Sequence, residues 1–162
     1  MITLKLTRAF PKIANYPFTT LRPYIGTARF IDNSQIRFAD LPGLIEGASE
    51  NKGLGHQFLK HAERTKTLLY VIDGLSNLEG RDRDPLSDYR VLRRELRKYD
   101  PKFLDRPSLI AFNKCDKESE GLYEQQLELL KREAHTKVIP ISAMEGTNLE
   151  LLLDSIKVII DK

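Results

Sequence analysis

The sequence has little cysteine and no long apolar run. Its 162 residues contain a single cysteine, Cys115, which excludes an internal disulfide and is typical of a reducing compartment. No stretch approaches the roughly 20 consecutive apolar residues that cross a bilayer, and residues 1–10 lack the apolar core of a secretory signal. We therefore expect a protein that is not secreted and has no membrane span.

The remaining composition is that of an ordinary folded domain. The hydrophobic fraction is 41%, the charged fraction 30% and the formal net charge +3. A chain of this length is expected to form one domain over residues 1–162. The slight excess of positive charge is weak support for an anionic partner.

Short apolar runs alternate with amphipathic segments along most of the chain. The pattern predicts an α/β fold, in which a mostly parallel sheet carries helices on both faces. Three prolines favour a loop at 11–23. Residues 1–10 leave two alternatives open, a strand with the alternating Ile2, Leu4 and Leu6, or the end of a helix that stops before Pro11. Strands are predicted at 24–31, 35–40, 68–73, 108–112 and 137–141, and helices at 56–64, 86–99, 122–134 and, capped by Asn148, up to 160.

The sequence Asn113-Lys114-Cys115-Asp116 directly follows the predicted strand at 108–112. Ligands of such sheets bind at the carboxyl ends of strands. The Asp116 carboxylate can accept from N1–H and the 2-amino group of guanine, a pair of donors that adenine does not offer. The Lys114 stem can lie along the base, and Asn113 can tie neighbouring loops together.

Three other segments also follow predicted strands or lie in loops. Asp40 can hold a magnesium ion while the Gly43 amide approaches a phosphate, although an aspartate there also caps turns. A hydroxyl of Thr19-Thr20 can ligate magnesium, or belong to a plain polar loop. An amide of Ser142-Ala143 can donate to guanine O6. Cys115 fits a loop filler better than a nucleophile.

Taken in order, these segments resemble the GTPase domain of the Obg subfamily. The stretches that carry the resemblance are 15–23 (NYPFTTLRP), 40–48 (DLPGLIEGA) and 53–61 (GLGHQFLKH). The resemblance runs from about residue 6 to the end of the chain. It matches residues 6–9 to the end of the family's first helix, which favours a helix or irregular structure over a strand at residues 1–10. It implies a three-layer, Ras-like fold of the P-loop NTPase type.

The resemblance also implies a function, cofactors and a set of site residues. The function is GTP binding and hydrolysis with Mg²⁺, coupled to assembly of the large ribosomal subunit in bacteria or organelles, hence a cytoplasmic or mitochondrial location. The partners are a guanine nucleotide and ribosomal RNA or protein, and nothing indicates DNA. Magnesium is assigned to Thr20 and Asp40. Nucleotide binding is assigned to Phe18, Thr19, Thr20, Leu21, Arg22, Asp40, Leu41, Pro42, Gly43, Asn113, Lys114, Cys115, Asp116, Ser142, Ala143 and Met144.

Two features depart from the usual GTPase pattern. The phosphate loop, Gly-X-X-X-X-Gly-Lys-Ser/Thr, is absent, since the first glycine of the chain is Gly26. We expect the strand before that loop to be missing too, and binding to weaken because several charged hydrogen bonds are lost, each worth about 1.5–3 kcal/mol. The position that carries a water-orienting glutamine in many GTPases is Leu44, so no catalytic residue is assigned.

A second hypothesis is therefore a pseudo-GTPase that keeps the fold as an interaction module for RNA or ribosomal proteins, without nucleotide turnover. The basic segment 90–98 is either a solvated helix face or an RNA contact. His56, His61 and His135 lack metal-ligand spacing and fit surface or packing roles.

Overall fold

A computed structural model describes residues 6, 12–13, 24–40, 63–76, 84–117 and 121–161 of the chain. These residues divide between two compact units, which are treated separately. The first unit comprises Met1–Thr65 and Arg94–Leu104, and the second comprises Lys66–Arg93 and Asp105–Lys162.

The first unit contains an antiparallel sheet of three strands in the order β1-β2-β3. The strands are β1 (Lys12–Ile13), β2 (Tyr24–Arg29) and β3 (Gln35–Asp40). The β2–β3 hairpin has a regular register, with Ala28 opposite Ile36, and both side chains are buried. Its turn contains Asn33 in the left-handed region, at φ 63°, a conformation that asparagine tolerates better than most residues.

The first unit corrects two boundaries expected from the sequence. The loop predicted at 11–23 is wrong at Lys12–Ile13, because these residues pair with β2. A proline has no N–H to donate to a neighbouring strand, but it is tolerated directly before a short strand at the edge of a sheet. The strand predicted at 24–31 ends at Arg29, since the turn begins with an amide of Asn33 donating to Phe30. Leu6 is helical and buried, which agrees with the preference against a strand there.

The second unit contains a parallel sheet of three strands in the order β4-β5-β6. The strands are β4 (Leu68–Asp73), β5 (Ser108–Asn113) and β6 (Lys137–Pro140). The central strand β5 is the centre of the core, since Leu109 to Phe112 are all 0% exposed. A strand that is buried on both faces has a continuous apolar sequence, and residues 108–112 of β5 form such a run.

Helices cover both faces of this sheet, as predicted. The helices are α1 (Pro85–Tyr99), which belongs to this unit up to Arg93, α2 (Leu122–Glu133) and α3 (Leu149–Ile160). A 3-10 helix at Pro101–Asp105 belongs to the first unit up to Leu104. On one face, α1 places Tyr89 edge-on against Tyr70 of β4, and α2 places Tyr123 against Phe112 of β5. On the other face, the Lys137 amine of β6 donates to the Ser155 hydroxyl of α3.

The ends of the helices show one cap that the sequence analysis did not predict and two corrections. At α1, Asp84 accepts the Ser87 N–H at 2.8 Å and the Ser87 hydroxyl accepts the Asp84 N–H, a reciprocal cap. Asn148 occupies the N-cap position of α3, but its side chain makes no cap bond and donates to the Pro140 carbonyl instead. The helix predicted at 56–64 is wrong at 63–64, which form a turn; its earlier residues lie outside the described ones.

Candidate functional site

The carboxyl ends of β4, β5 and β6 bring together three loops, and hydrogen bonds connect the loops after β5 and β6. Asn113 Oδ1 accepts the Ala143 N–H at 2.9 Å, and the Cys115 N–H donates to the Ile141 carbonyl at 3.1 Å. These bonds place 113–116 beside 142–143, as the expected tying role of Asn113 requires.

The pKa of the Asp116 carboxyl is sensitive to the loop after β6. A hydrogen bond with the Ser142 side chain is the main cause that lowers the pKa of the Asp116 carboxyl, against a smaller opposing effect of desolvation. The Ser142 side chain is fully buried, and its Oγ also accepts the Glu145 N–H at 3.0 Å. Asp116 is thus held as an anion, which leaves it an acceptor for N–H donors.

Lys114 makes an ion pair with Asp73, the last residue of β4. Its Nζ lies 2.7 Å from Asp73 Oδ2, and the two side chains are 26% and 31% exposed. The Lys114 backbone has a φ of 74°, in the left-handed region that few residues other than glycine adopt. The Lys117 N–H donates to the Lys114 carbonyl at 3.1 Å and closes this turn.

The loop after β4 fits tightly against the end of β5. The Gly74 N–H donates to the Asn113 carbonyl at 3.0 Å. A Cβ on Gly74 would lie 2.3 Å from the Tyr123 ring and 2.9 Å from that carbonyl oxygen. The Tyr123 hydroxyl donates to the Phe112 carbonyl at 2.7 Å, so the ring that excludes a larger residue is itself fixed.

The backbone amides that were expected to donate to guanine O6 already donate to acceptors within the protein. The Ser142 N–H donates to the Thr147 carbonyl at 3.2 Å, and the Ala143 N–H donates to Asn113. A contact to O6 therefore needs a shared Ala143 N–H or another donor. Met144 is largely exposed beside this loop.

The predicted phosphate and magnesium residues lie mostly outside the described part of the chain. This applies to 18–22 and 41–43. Leu44 and two of the three histidines, His56 and His61, also lie outside the described residues. Asp40 is the last residue of β3, in the first unit, and it is the one described member of the predicted metal pair. Within the described ranges, no three His, Cys, Asp or Glu side chains group as a metal site.

Sequence reasoning missed Asp73, Gly74 and Tyr123 at this site. Asp73 ends a predicted strand in the same way as Asp40, so its position at the carboxyl end of a parallel strand was a usable signal. Gly74 and Tyr123 carry no such signal, because their contact joins residues far apart in the chain.

The amino-acid sequence is similar to those of known GTPases. A family model described as 50S ribosome-binding GTPase matches residues 2–114. The chain belongs to this family. Within it, the sequence is that of an Obg-type GTPase domain, being 44% identical to the GTPase Obg of Myxococcus xanthus over 94% of the chain. It is 46% identical to the GTPase Obg of Opitutus terrae over 93% of the chain.

The chain spans 31% of the length of the Myxococcus protein and 43% of the Opitutus protein. Among solved structures, it is similar to the G domain of the T. maritima FeoB iron transporter, with a TM-score of 0.65 and 20% identity over 97% of the chain and 87% of that domain. It is also similar to the cytosolic domain of L. pneumophila FeoB, with a TM-score of 0.65 and 21% identity over 96% and 56% of the two chains. These structures show the fold of P-loop GTPase domains.

Proposed function

We propose that this chain binds guanine nucleotides and that Asp116 reads the base. The observation that carries the proposal is the assembled edge of the parallel sheet, where the Ala143 N–H donates to Asn113 and the Cys115 N–H donates to Ile141, so that the loop of Asp116 lies beside the loop after β6. An oriented carboxylate can accept two parallel N–H bonds from guanine. A bidentate base contact discriminates by about 1–3 kcal/mol, which favours guanine over adenine.

The fuller function is GTP hydrolysis with magnesium, coupled to assembly of the large ribosomal subunit. Its support is the family to which the chain belongs, described as ribosome-binding GTPases, and the Obg relatives. The proposed magnesium ligands remain Thr20 and Asp40. In the described part of the chain, no helix is long and apolar enough to cross a membrane, and the proposed location is the cytoplasm or the mitochondrion.

A pseudo-GTPase that contacts RNA is the second candidate, and the basic residues of α1 are the structural observation that supports it. Arg90 and Arg97 of this helix are exposed. Part of this charge is already used inside the protein, because Arg90 pairs with Glu133 at 3.0 Å and Arg93 lies over the Tyr89 ring. The basic helix therefore favours RNA less strongly than the sequence suggests.

The test is a titration of the ¹⁵N-labelled chain with GDP, GTP, ADP and XDP in magnesium, from micromolar to millimolar concentration. Guanine nucleotides are expected to shift the amide signals of residues 113–116 and 142–144, and ADP to shift them far less. In Asp116→Asn, the side-chain amide can donate to the C2 carbonyl of xanthine, so preference should move from GDP to XDP. Equal responses to GDP and ADP, or no change of preference in the variant, would overturn the proposal.

A further inference from the structure

Asp73 has both carboxylate oxygens engaged at the candidate site, and each oxygen has a different partner. Oδ1 accepts the Leu75 N–H at 3.0 Å, and Oδ2 lies 2.7 Å from Lys114 Nζ. The first bond is a local turn in which an aspartate accepts from the residue two positions later. It fixes the carboxylate on its own loop, independently of the lysine.

The loop that carries Asp73 is itself fixed to β5. The Gly74 N–H donates to the Asn113 carbonyl, and the Tyr123 ring leaves no room for a side chain at Gly74. Leu75 is buried. The carboxylate therefore stands at a defined place beside Lys114, fixed by contacts within the protein.

A lysine side chain loses more conformational entropy than most side chains when it is held in one orientation, so a fixed carboxylate partner matters more for it. Its stem has four rotatable carbons, and about 2 kcal/mol of rotamer entropy is lost when it is held in one conformation. A carboxylate that holds the amine in advance lets the stem lie in one orientation before the base arrives. Preorganisation of this kind improves affinity by removing a cost of binding.

We propose that Asp73 is a positioning residue that holds the Lys114 side chain in place for the purine base. This inference rests on the proposed guanine-nucleotide binding of the same site. Asp73 does not contact the base in this scheme. It acts through Lys114, so its effect must depend on the presence of the lysine amine.

The experiment is a double-mutant cycle with GDP as the probe. Asp73→Asn keeps an oxygen that accepts the Leu75 N–H and removes the charge that faces Lys114. Lys114→Met keeps an unbranched stem and removes the amine. Asp73→Asn is expected to weaken GDP binding about three- to five-fold, as for a partly exposed ion pair. In the Lys114→Met background, the same change should leave the dissociation constant unaltered.

A spectroscopic readout separates positioning from general stability. In the nucleotide-free chain, the ¹⁵Nζ signal of Lys114 should be observable because the ion pair slows exchange, and it should be lost in Asp73→Asn. Asp73→Glu, which keeps the charge on a longer stem, should recover part of the affinity. Glu128→Gln removes a similar pair, Glu128–Lys131 at 2.8 Å on α2, and should change neither signal nor affinity.

Equal weakening by Asp73→Asn in both backgrounds would overturn the inference, because a purely structural role acts whether or not the amine is present. An unchanged affinity in Asp73→Asn alone would overturn it as well. Failure of the proposed function is distinguishable, since it appears as an Asp116→Asn variant with unaltered base preference. If Asp116→Asn alters the base preference but Asp73→Asn leaves GDP affinity unchanged, the positioning role of Asp73 is rejected and the proposed function stands.

Discussion

The Asn113 side-chain carbonyl accepts the Ala143 N–H at 2.9 Å, and this bond joins the loop after β5 to the loop after β6. We expect Asn113→Ala to lower the free energy of unfolding by about 1–2 kcal/mol, because the Ala143 N–H loses its acceptor. The same variant should lose the response of residues 142–144 to GDP. Urea unfolding and the nucleotide titration measure the two effects.

The matched control for this bond is Asn113→Asp, which keeps an oxygen at the same distance from the Ala143 N–H. We expect it to retain most of the stability lost in Asn113→Ala. If the two variants are equally destabilised, the contribution of Asn113 does not come from its acceptor.

Gly74 is expected to tolerate no larger residue. A Cβ there would meet the Tyr123 ring at 2.3 Å and the Asn113 carbonyl at 2.9 Å, and overpacking a fixed site costs about 1–3 kcal/mol. Gly74→Ala should therefore unfold at lower urea and weaken GDP binding, because the loop that holds Asp73 is displaced.

Gly146→Ala is the control for the Gly74 variant. Gly146 has a φ of 87°, and no atom of the described residues lies within 4 Å of the place that a Cβ would take, so its substitution costs strain alone, about 1–2 kcal/mol. Because Gly146 lies in the loop after β6, which is part of the candidate site, its substitution can change GDP binding as well. The free energy of unfolding is therefore the quantity to compare between the two variants. A Gly74→Ala variant that is no less stable than Gly146→Ala would contradict the close packing against Tyr123.

The parts of the fold that the sequence predicted are those where local pattern and tertiary burial agree. The apolar run at 108–112 predicts a buried strand, and Leu109 to Phe112 of β5 are fully buried. The strand at 35–40 was predicted to the residue because its neighbours are turn formers. Asn113 was assigned its tying role from its place at a strand end, before its partner was known.

The errors arise where distant partners decide the local structure. Lys12–Ile13 forms a strand because it pairs with the edge of β2. The sequence of 11–23 contains no local signal of that pairing. Asn148 has the right residue type for a helix cap, yet its side chain donates to Pro140. Asp73 was overlooked because its value lies in a contact with Lys114, which is far from it in the sequence.

The Asp116 carboxyl is expected to titrate with a pKa below its usual range, because the Ser142 side chain bonds to it. A group with a depressed folded-state pKa stabilises the protein above its unfolded-state pKa, and this stabilisation is lost as the pH falls through the folded-state value. Ser142→Ala should raise the pKa of Asp116. The stability of this variant should then fall less than that of the unsubstituted chain as the pH is lowered through the folded-state pKa. Carbon-detected NMR titration of the carboxyl measures the shift, and an unchanged pKa in the variant would reject the role of Ser142.

Cys115 is expected to be a slow nucleophile despite its place in the loop after β5. Burial raises the pKa of the Cys115 thiol, and the neighbouring Asp116 carboxylate raises it further. Because the thiolate is the reacting form, alkylation by iodoacetamide at neutral pH should be slower in the folded chain than in urea. Asp116→Asn should accelerate the reaction of the folded chain and leave that of the unfolded chain unchanged. A folded chain that reacts as fast as the unfolded one would show that the thiol does not sense this environment.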